Sequence, residues 1–136
     1  MMRKGIADTG GLVALLDRSD QHHSWAVETF KTLLAPLITC EAVLAETWHL
    51  LGHAPPSRKT LAALHRDGIL TVSLHFEEQA PSVWSFLSKY ADVPMDLADA
   101  GVLRLSELFP DRVVWTTDSD FSIYRRNRRN VVPTLS

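Results

Sequence analysis

Short apolar runs alternate with segments of helical periodicity along almost the whole chain, and this alternation limits the possible folds more than any other feature. The apolar runs predict strands over residues 4–8, 36–39, 69–72, 112–116 and about 131–132. The helical patterns predict helices over 10–17, 21–34, 41–52, 57–66, 76–90, 96–108 and, briefly, 119–125. Strands alternating with helices are typical of a three-layer α/β/α sandwich on a mostly parallel sheet, here of four or five strands. Thr39 is placed to cap helix 41–52.

The composition indicates the size and the environment of the protein. A chain of 136 residues with 46% hydrophobic content predicts a single domain, residues 1–136, with a substantial core. A net charge of −2 gives no general attraction to nucleic acid, so such binding would need a local patch. The single cysteine cannot form an internal disulfide, and no apolar run approaches the roughly 20 residues of a membrane helix. We therefore expect a cytoplasmic protein without membrane contact.

Four acidic residues are expected to meet at one edge of this sheet. Asp8 and Asp118 each follow a predicted strand, and parallel sheets place their working residues at the carboxyl ends of the strands. Glu46 and Asp99 lie within predicted helices, beside apolar residues at helical spacing, which indicates that they face inward. Carboxylates that share a pocket are unfavourable until a cation neutralises them. The set predicts a site for Mg²⁺ or Mn²⁺ with oxygen ligands.

Each acidic residue also has a purely structural interpretation. Asp8 and Asp118 could cap the helices that follow them, since Asp is a favoured helix N-cap. Glu41 competes with Glu46, but Glu41 falls in a first helical turn, where the helix dipole already accounts for a carboxylate.

Asp96 competes with Asp99 in the same way. Asp96 is well placed as an N-cap after Pro94, whereas the apolar neighbours of Asp99 favour that residue as the ligand or base. Asp96 and Asp120 are then expected as outer groups, together with the hydroxyls of Thr9 and Thr117, which could orient the carboxylates.

One basic cluster could contact a nucleic acid. Its cations follow the predicted acidic edge closely in sequence and are Arg125, Arg126, Arg128 and Arg129. Arginines beside an acidic metal pocket would contact phosphates of a nucleic-acid backbone, although a run of charge is more often only a solvated surface.

The acidic motifs resemble those of the PIN domain, especially the toxin ribonucleases of VapBC-type toxin–antitoxin pairs. The matching blocks are 6–17, 39–46, 94–100 and 116–121, in the order Asp, Glu, Asp, Asp. Each block is weak alone, but the four together, in this order and at these separations, are fairly specific.

The resemblance implies a PIN fold and metal-dependent cleavage of RNA phosphodiester bonds. It carries Asp8, Glu46, Asp99 and Asp118 over as the acidic quartet. It also implies a homodimer and an antitoxin protein that holds the enzyme inactive by covering its groove.

Two other classes of function remain open. A receiver-like phosphotransfer domain also gathers carboxylates and Mg²⁺ at strand ends, but it needs an acceptor Asp after a central strand and a late Lys. Here the third predicted strand is followed by Ser73, Leu74 and His75, and the last lysine is Lys89 within a helix. The second alternative is a PIN-like module that binds RNA or protein but has lost catalysis.

Overall fold

The computed structural model describes residues 2–136 as an α/β fold. Its strands are β1 (Arg3–Ala7), β2 (Leu33–Thr39), β3 (Leu70–Val72), β4 (Val113–Trp115), β5 (Arg125–Arg126), β6 (Asn130–Val131) and β7 (Thr134–Leu135). Its helices are α1 (Thr9–Leu16), α2 (His23–Phe30), α3 (Glu41–Leu50), α4 (Pro55–Arg66), α5 (Phe76–Lys89) and α6 (Leu97–Leu108), followed by a 3₁₀ turn over Ser119–Ser122.

The main sheet of the described chain has five strands in the order β3-β2-β1-β4-β7, and all neighbouring pairs are parallel. The short strands β5 and β6 form a separate antiparallel hairpin. The prediction of an α/β fold with a mostly parallel sheet of four or five strands is confirmed. The strand order reverses at β1, because the chain continues to β2 on one side and places β4 on the other. Such a reversal opens a crevice at the carboxyl ends of the strands.

The core is built around Trp115, the last residue of β4, which is fully buried. Its ring stacks on Trp25 of α2 at a centroid distance of 6.1 Å, and Phe30 lies 5.7 Å away. The indole N–H donates to the Thr29 hydroxyl at 2.8 Å, so the polar atom of this buried side chain has a partner. Helix α2 is thereby fixed against the sheet, at the strand that leads into the acidic residues.

The predicted helix over 21–34 was too long, and the predicted strand over 36–39 too short. Leu33 and Leu34 belong to β2, where they pair with Arg3 and Lys4 of β1. A short apolar run fits a helix or a strand equally well, and pairing with β1 decides between them here.

Two further details differ from the sequence prediction. Thr39 ends β2 and does not cap α3; its hydroxyl donates to the Ala7 carbonyl at 2.8 Å, and Cys40 holds the N-cap position. The predicted strand near 131–132 lies partly in the hairpin, and Thr134–Leu135 is the segment that joins the main sheet beside β4. Within residues 2–136, no helix is long and apolar enough to cross a membrane.

Candidate metal centre

Asp8 and Asp118 come together because the strands that precede them are neighbours. β1 and β4 pair in parallel with Ala7 opposite Trp115, and the Asp8 N–H donates to the Trp115 carbonyl at 3.2 Å. The chain leaves both strands at the same edge of the sheet, at the crevice beside β1.

A third carboxylate is contributed by α6. Asp99 lies in the first turn of this helix, between the buried residues Ala98 and Ala100. One carboxylate oxygen from each of Asp8, Asp99 and Asp118 lies within 4.8 Å of the other two. We call these three residues the acidic triad; Glu46 lies outside this group.

The environment of Asp8 disfavours its charged form. Its side chain is only 3% exposed, and burial raises its pKa to about 6, with the charges of Asp118 and Glu46 acting in the same direction. The Thr116 hydroxyl donates to Asp8 Oδ2 at 2.6 Å and partly opposes this rise. Asp8 occupies the N-cap position of α1, but its carboxylate makes no capping hydrogen bond. Capping therefore does not account for an aspartate here.

Asp96 and Asp99 form a reciprocal capping box at the start of α6. Asp96 Oδ1 accepts from the Asp99 N–H at 2.8 Å, and Asp99 Oδ2 accepts from the Asp96 N–H at 3.2 Å. Asp96 is exposed, whereas Asp99 is buried. Burial raises the pKa of Asp99 to about 8, and the charges of Asp96, Asp8 and Asp118 add to this effect. Asp99 thus helps to cap α6 and also contributes to the triad a carboxylate whose pKa is strongly raised.

Asp118 also has a capping role. Its Oδ1 accepts from the Asp120 N–H at 2.8 Å, which opens the 3₁₀ turn. Asp118 is half-buried, and burial raises its pKa, helped by the charges of Asp120 and Asp96. Capping uses only one of its two oxygens, so the carboxylate can serve the turn and the triad together.

The structure separates Glu46 from its competitor Glu41. Glu46 is half-buried on α3, and burial raises its pKa, together with the charges of Asp96 and Asp118. Glu41 is exposed in the first turn of α3, where it lines a separate apolar groove. Glu46 therefore lies within electrostatic range of the triad without joining its closest cluster.

Two groups at this site were absent from the sequence-based set. The Thr116 hydroxyl donates to Asp8 and also accepts from the Asp118 N–H at 2.8 Å, so it ties two triad members together. Tyr124, fully buried, donates its hydroxyl to Asp99 Oδ2 at 3.4 Å. The sequence signal for Thr116 is its position at the end of a strand that leads into Asp118. Tyr124 has no such signal, because only the 3₁₀ turn over Ser119–Ser122 brings it to Asp99.

The arginine cluster is divided by the hairpin. Arg126 is turned toward the body of the protein, where its Nη1 donates to the carbonyls of Ser106 and Pro110 at 2.8 and 3.2 Å. Arg125 donates through Nη1 to three backbone carbonyls of residues 122–124. Arg128 and Arg129 are exposed. The four cations predicted to act together thus have different environments.

The fold and the acidic triad define a class of protein. It is an α/β protein whose carboxylates gather at the ends of two parallel strands, and such a cluster suits a divalent metal ion. The family model of the PIN domain matches residues 6–127, and the chain belongs to this family. The resemblance stated from the sequence is confirmed, and a receiver domain is disfavoured.

A solved structure with a similar fold is VapC20 of Mycobacterium tuberculosis, described as a sarcin-ricin loop cleaving toxin. The two chains superpose with a TM-score of 0.74 at 23% sequence identity, over 87% of this chain and 92% of VapC20. At this identity the likeness shows a shared fold. No curated protein matches the chain.

Proposed function

We propose that this protein is a metal-dependent endoribonuclease, formed by residues 1–136 as one domain and acting in the cytoplasm as the toxin of a VapBC-type pair. The observation that carries the proposal is the acidic triad, whose oxygens lie within 4.8 Å of one another in a PIN-family chain. The fold relative VapC20, described as a toxin that cleaves the sarcin-ricin loop, supports RNA as the substrate class.

The chemistry of the donors fits Mg²⁺ or Mn²⁺. Asp8, Asp99 and Asp118 offer only oxygen atoms, which hard divalent cations prefer, and burial raises the pKa of all three. The Thr9 hydroxyl lies beside the Glu46 carboxylate, partly opposes the rise that burial causes in the pKa of that group, and can orient it toward the ion. A bound divalent cation supplies an activated water and neutralises charge on the phosphate.

The side chains of the protein have distinct roles in this proposal. Asp8 and Asp118 are the main ligands, and the Thr116 hydroxyl keeps the Asp8 carboxylate in one orientation. Asp99 completes the triad and is oriented by Tyr124. Glu46 accepts the proton of the attacking water, because its raised pKa makes it a better base than an ordinary glutamate. Asp96, Thr117 and Asp120 are outer groups around these carboxylates.

An antitoxin segment is proposed to bind an apolar groove beside the triad. This groove has a volume of about 420 Å³ and is lined by Leu74, Phe76, Val83, Leu97 and residues of α3, including Glu41. Leu97 directly follows the Asp96 cap, so a partner here would also reach the acidic site. The groove fits an apolar segment that carries a basic residue, since its polar neighbours are carboxylates. A small DNA-binding protein encoded immediately upstream would support this assignment.

A homodimer is also proposed. Trp48 on α3 is 48% exposed, and burial against a second copy would remove this large apolar side chain from water. Light scattering on the purified protein measures the mass directly, and Trp48→Glu is expected to shift a dimer toward monomer.

The proposed function is tested by incubating purified protein with mixed structured RNAs in Mg²⁺ or Mn²⁺. Cleavage should require the metal, cease in EDTA and be lost in Asp8→Asn. The matched control is Asp92→Asn, which removes an exposed carboxylate outside the site and should cleave normally. Cleavage that survives Asp8→Asn would contradict the site assignment. Absence of cleavage in partner-free protein would favour the alternative of a catalytically inactive binding module.

A further inference from the structure

A basic cleft lies on the side of the molecule where α5, α6 and the β5–β6 hairpin meet. Its volume is about 650 Å³. Its cationic lining residues come from three elements and are Lys89 of α5, Arg104 of α6, and Arg125 and Arg128 of the hairpin. Such a cluster is notable in a chain whose net charge is −2.

The positive charge of this basic cleft is only partly neutralised. Glu107 is the one carboxylate in its lining, and both of its oxygens have donors: Arg104 Nη1 at 2.8 Å and the Asn127 N–H at 2.6 Å. Within residues 2–136, no carboxylate lies within 4.0 Å of a cationic nitrogen of Lys89, Arg125 or Arg128. The lining thus holds four cations and one carboxylate, and that carboxylate is already paired with Arg104.

The cationic groups are also held in place. Arg125 Nη1 donates to the carbonyls of Ser122, Ile123 and Tyr124 at 2.7, 3.1 and 3.0 Å, which fixes the guanidinium on the wall of the cleft. Arg104 is fixed by Glu107 and by Gln79, whose Oε1 accepts from its Nε at 2.7 Å. Groups that are already ordered lose less conformational entropy when a ligand binds.

Arg128 occupies a position that favours glycine. Its φ is 72°, and that of the preceding Asn127 is 50°. The left-handed region is unfavourable for a long L side chain and easy for glycine. An arginine in this conformation lowers folding stability relative to glycine, and its charge lines the cleft. A loss of stability at this position is expected if the charge serves binding.

The cleft and the acidic triad share structural elements. Tyr124, which donates to Asp99, directly precedes Arg125, and the Arg125 N–H donates to the Tyr90 hydroxyl at 2.9 Å. Arg104 lies five residues after Asp99 on α6, or about 7.5 Å along the helix axis. The cleft and the triad are therefore neighbouring sites carried by the same helix.

We propose that this basic cleft binds the phosphodiester backbone of the RNA substrate, next to the segment that the acidic triad cleaves. This inference rests on the proposed ribonuclease function. The triad itself repels a polyanion, so an RNA strand needs fixed cations nearby to remain bound. The cleft supplies them from Lys89, Arg104, Arg125 and Arg128, whereas Arg126 does not line it.

The test compares RNA binding by two variants of the full chain, each in an Asp8→Asn background that prevents cutting. Lys89→Gln/Arg128→Gly removes two cations from the cleft, and the glycine suits the left-handed backbone, so the fold is retained. Lys59→Gln/Arg66→Gln is the matched control, because it also removes two exposed cations and neither of them lines the cleft. The probe is a fluorescent single-stranded RNA 12-mer, measured by anisotropy over about 50 to 200 mM salt.

The double variant should bind the 12-mer at least about tenfold more weakly at low salt. The slope of log K against log salt should fall by about 1.4, since each phosphate contact to a single strand contributes about 0.7. Lys59→Gln/Arg66→Gln should change neither quantity. An unchanged slope in the double variant would overturn the proposal. An unchanged slope combined with loss of polyglutamate binding would assign the cleft to an acidic protein partner and would also overturn it.

A cleavage assay with Asp8 intact separates this inference from the proposed function. The double variant should show a raised KM for the 12-mer and an unaltered rate on a dinucleotide, whose single phosphate occupies the cleavage site and leaves none for the cleft. If the parent protein cuts neither RNA, the ribonuclease proposal fails, while anisotropy still decides whether the cleft binds RNA. If both proteins cut the 12-mer with equal KM, the cleft proposal alone is overturned.

Discussion

The buried carboxylate of Asp8 should make the metal-free protein less stable as pH rises. Its pKa is about 6 in the fold, whereas an aspartate in an unfolded chain titrates near pH 3.9. Below about pH 4 the group is protonated in both states and has no net effect on unfolding. Between about pH 4 and 6 the folded protein holds a proton that the unfolded chain has released, so each rise in pH favours unfolding. Above about pH 6 the loss is complete.

The size of this effect follows from the difference between the two pKa values. About 2 pH units at 1.36 kcal/mol each give a loss of about 3 kcal/mol in the free energy of unfolding. For a domain of this size, that corresponds to roughly 10 °C in Tm. Asp99, whose pKa is raised to about 8, extends the decline in the same direction to about pH 8.

Asp8→Asn isolates the Asp8 contribution. The amide keeps an oxygen that can accept from Thr116 but carries no charge, so the variant should match the parent near pH 4. Above about pH 6 it should be more stable by up to about 3 kcal/mol, although it is expected to be inactive. The measurement is urea unfolding in EDTA at several pH values, read as the difference between variant and parent. Taking this difference removes the contributions of groups that are the same in both proteins. One of them is Asp17, whose pKa is lowered by its hydrogen bonds to Ser19 and which therefore makes the fold more stable as pH rises.

Metal and a second variant complete this test. Mn²⁺ should raise the Tm of the parent increasingly between about pH 6 and pH 8, where Asp8 and then Asp99 lose their protons, and should have little effect on Asp8→Asn. Asp92→Asn, at an exposed position, should follow the parent at every pH. The reasoning is refuted if Asp8→Asn is less stable than the parent at about pH 7 in EDTA, since that would mean a net favourable interaction of the charged carboxylate.

Three other substitutions test the packing around the site. Thr116→Val keeps the shape but leaves the Asp118 N–H without its acceptor, so unfolding measurements should show a loss of about 1–3 kcal/mol, and RNA cleavage should slow. In Gly11→Ala the new Cβ would lie 2.8 Å from the Trp115 ring and 2.9 Å from its carbonyl oxygen, so urea unfolding should reveal a loss of about 1–3 kcal/mol; a neutral result would contradict the close approach of α1 to β4. Gly68→Ala meets no neighbouring atom, but its φ of 76° should cost about 1 kcal/mol in thermal unfolding, with RNA cleavage unchanged.

The parts of the site that depend on local pattern could be predicted from the sequence. Asp8 and Asp118 were expected to meet because each follows an apolar strand, and strands β1 and β4 are indeed neighbours. The inward position of Asp99 was indicated by its apolar neighbours on one helix. These inferences need only the periodicity of one element and the rule that parallel strands end at a common edge.

The parts that depend on register could not be predicted. Thr116 reaches Asp8 across 108 residues of sequence, and only the alignment of Ala7 with Trp115 brings the two side chains together. Thr39 resembles a helix cap in sequence, but its hydroxyl serves the neighbouring strand. Arg125 and Arg126 point in different directions because successive side chains alternate along a strand. That strand has only two residues, so no sequence pattern could reveal it.

The distribution of the triad along the chain has a consequence for synthesis of the protein. Asp8 lies near the start, Asp99 and Asp118 come late, and the Thr116 bridge closes the set over 108 residues. A nascent chain that has not yet presented α6 and β4 holds only one of the three carboxylates, and its central strand lacks a neighbour on that side. If the triad cleaves RNA as proposed, a growing polypeptide that has not reached Asp118 cannot attack the RNA of the ribosome that makes it. The proposed activity would arise only after α6 and β4 have been synthesised and have joined the sheet.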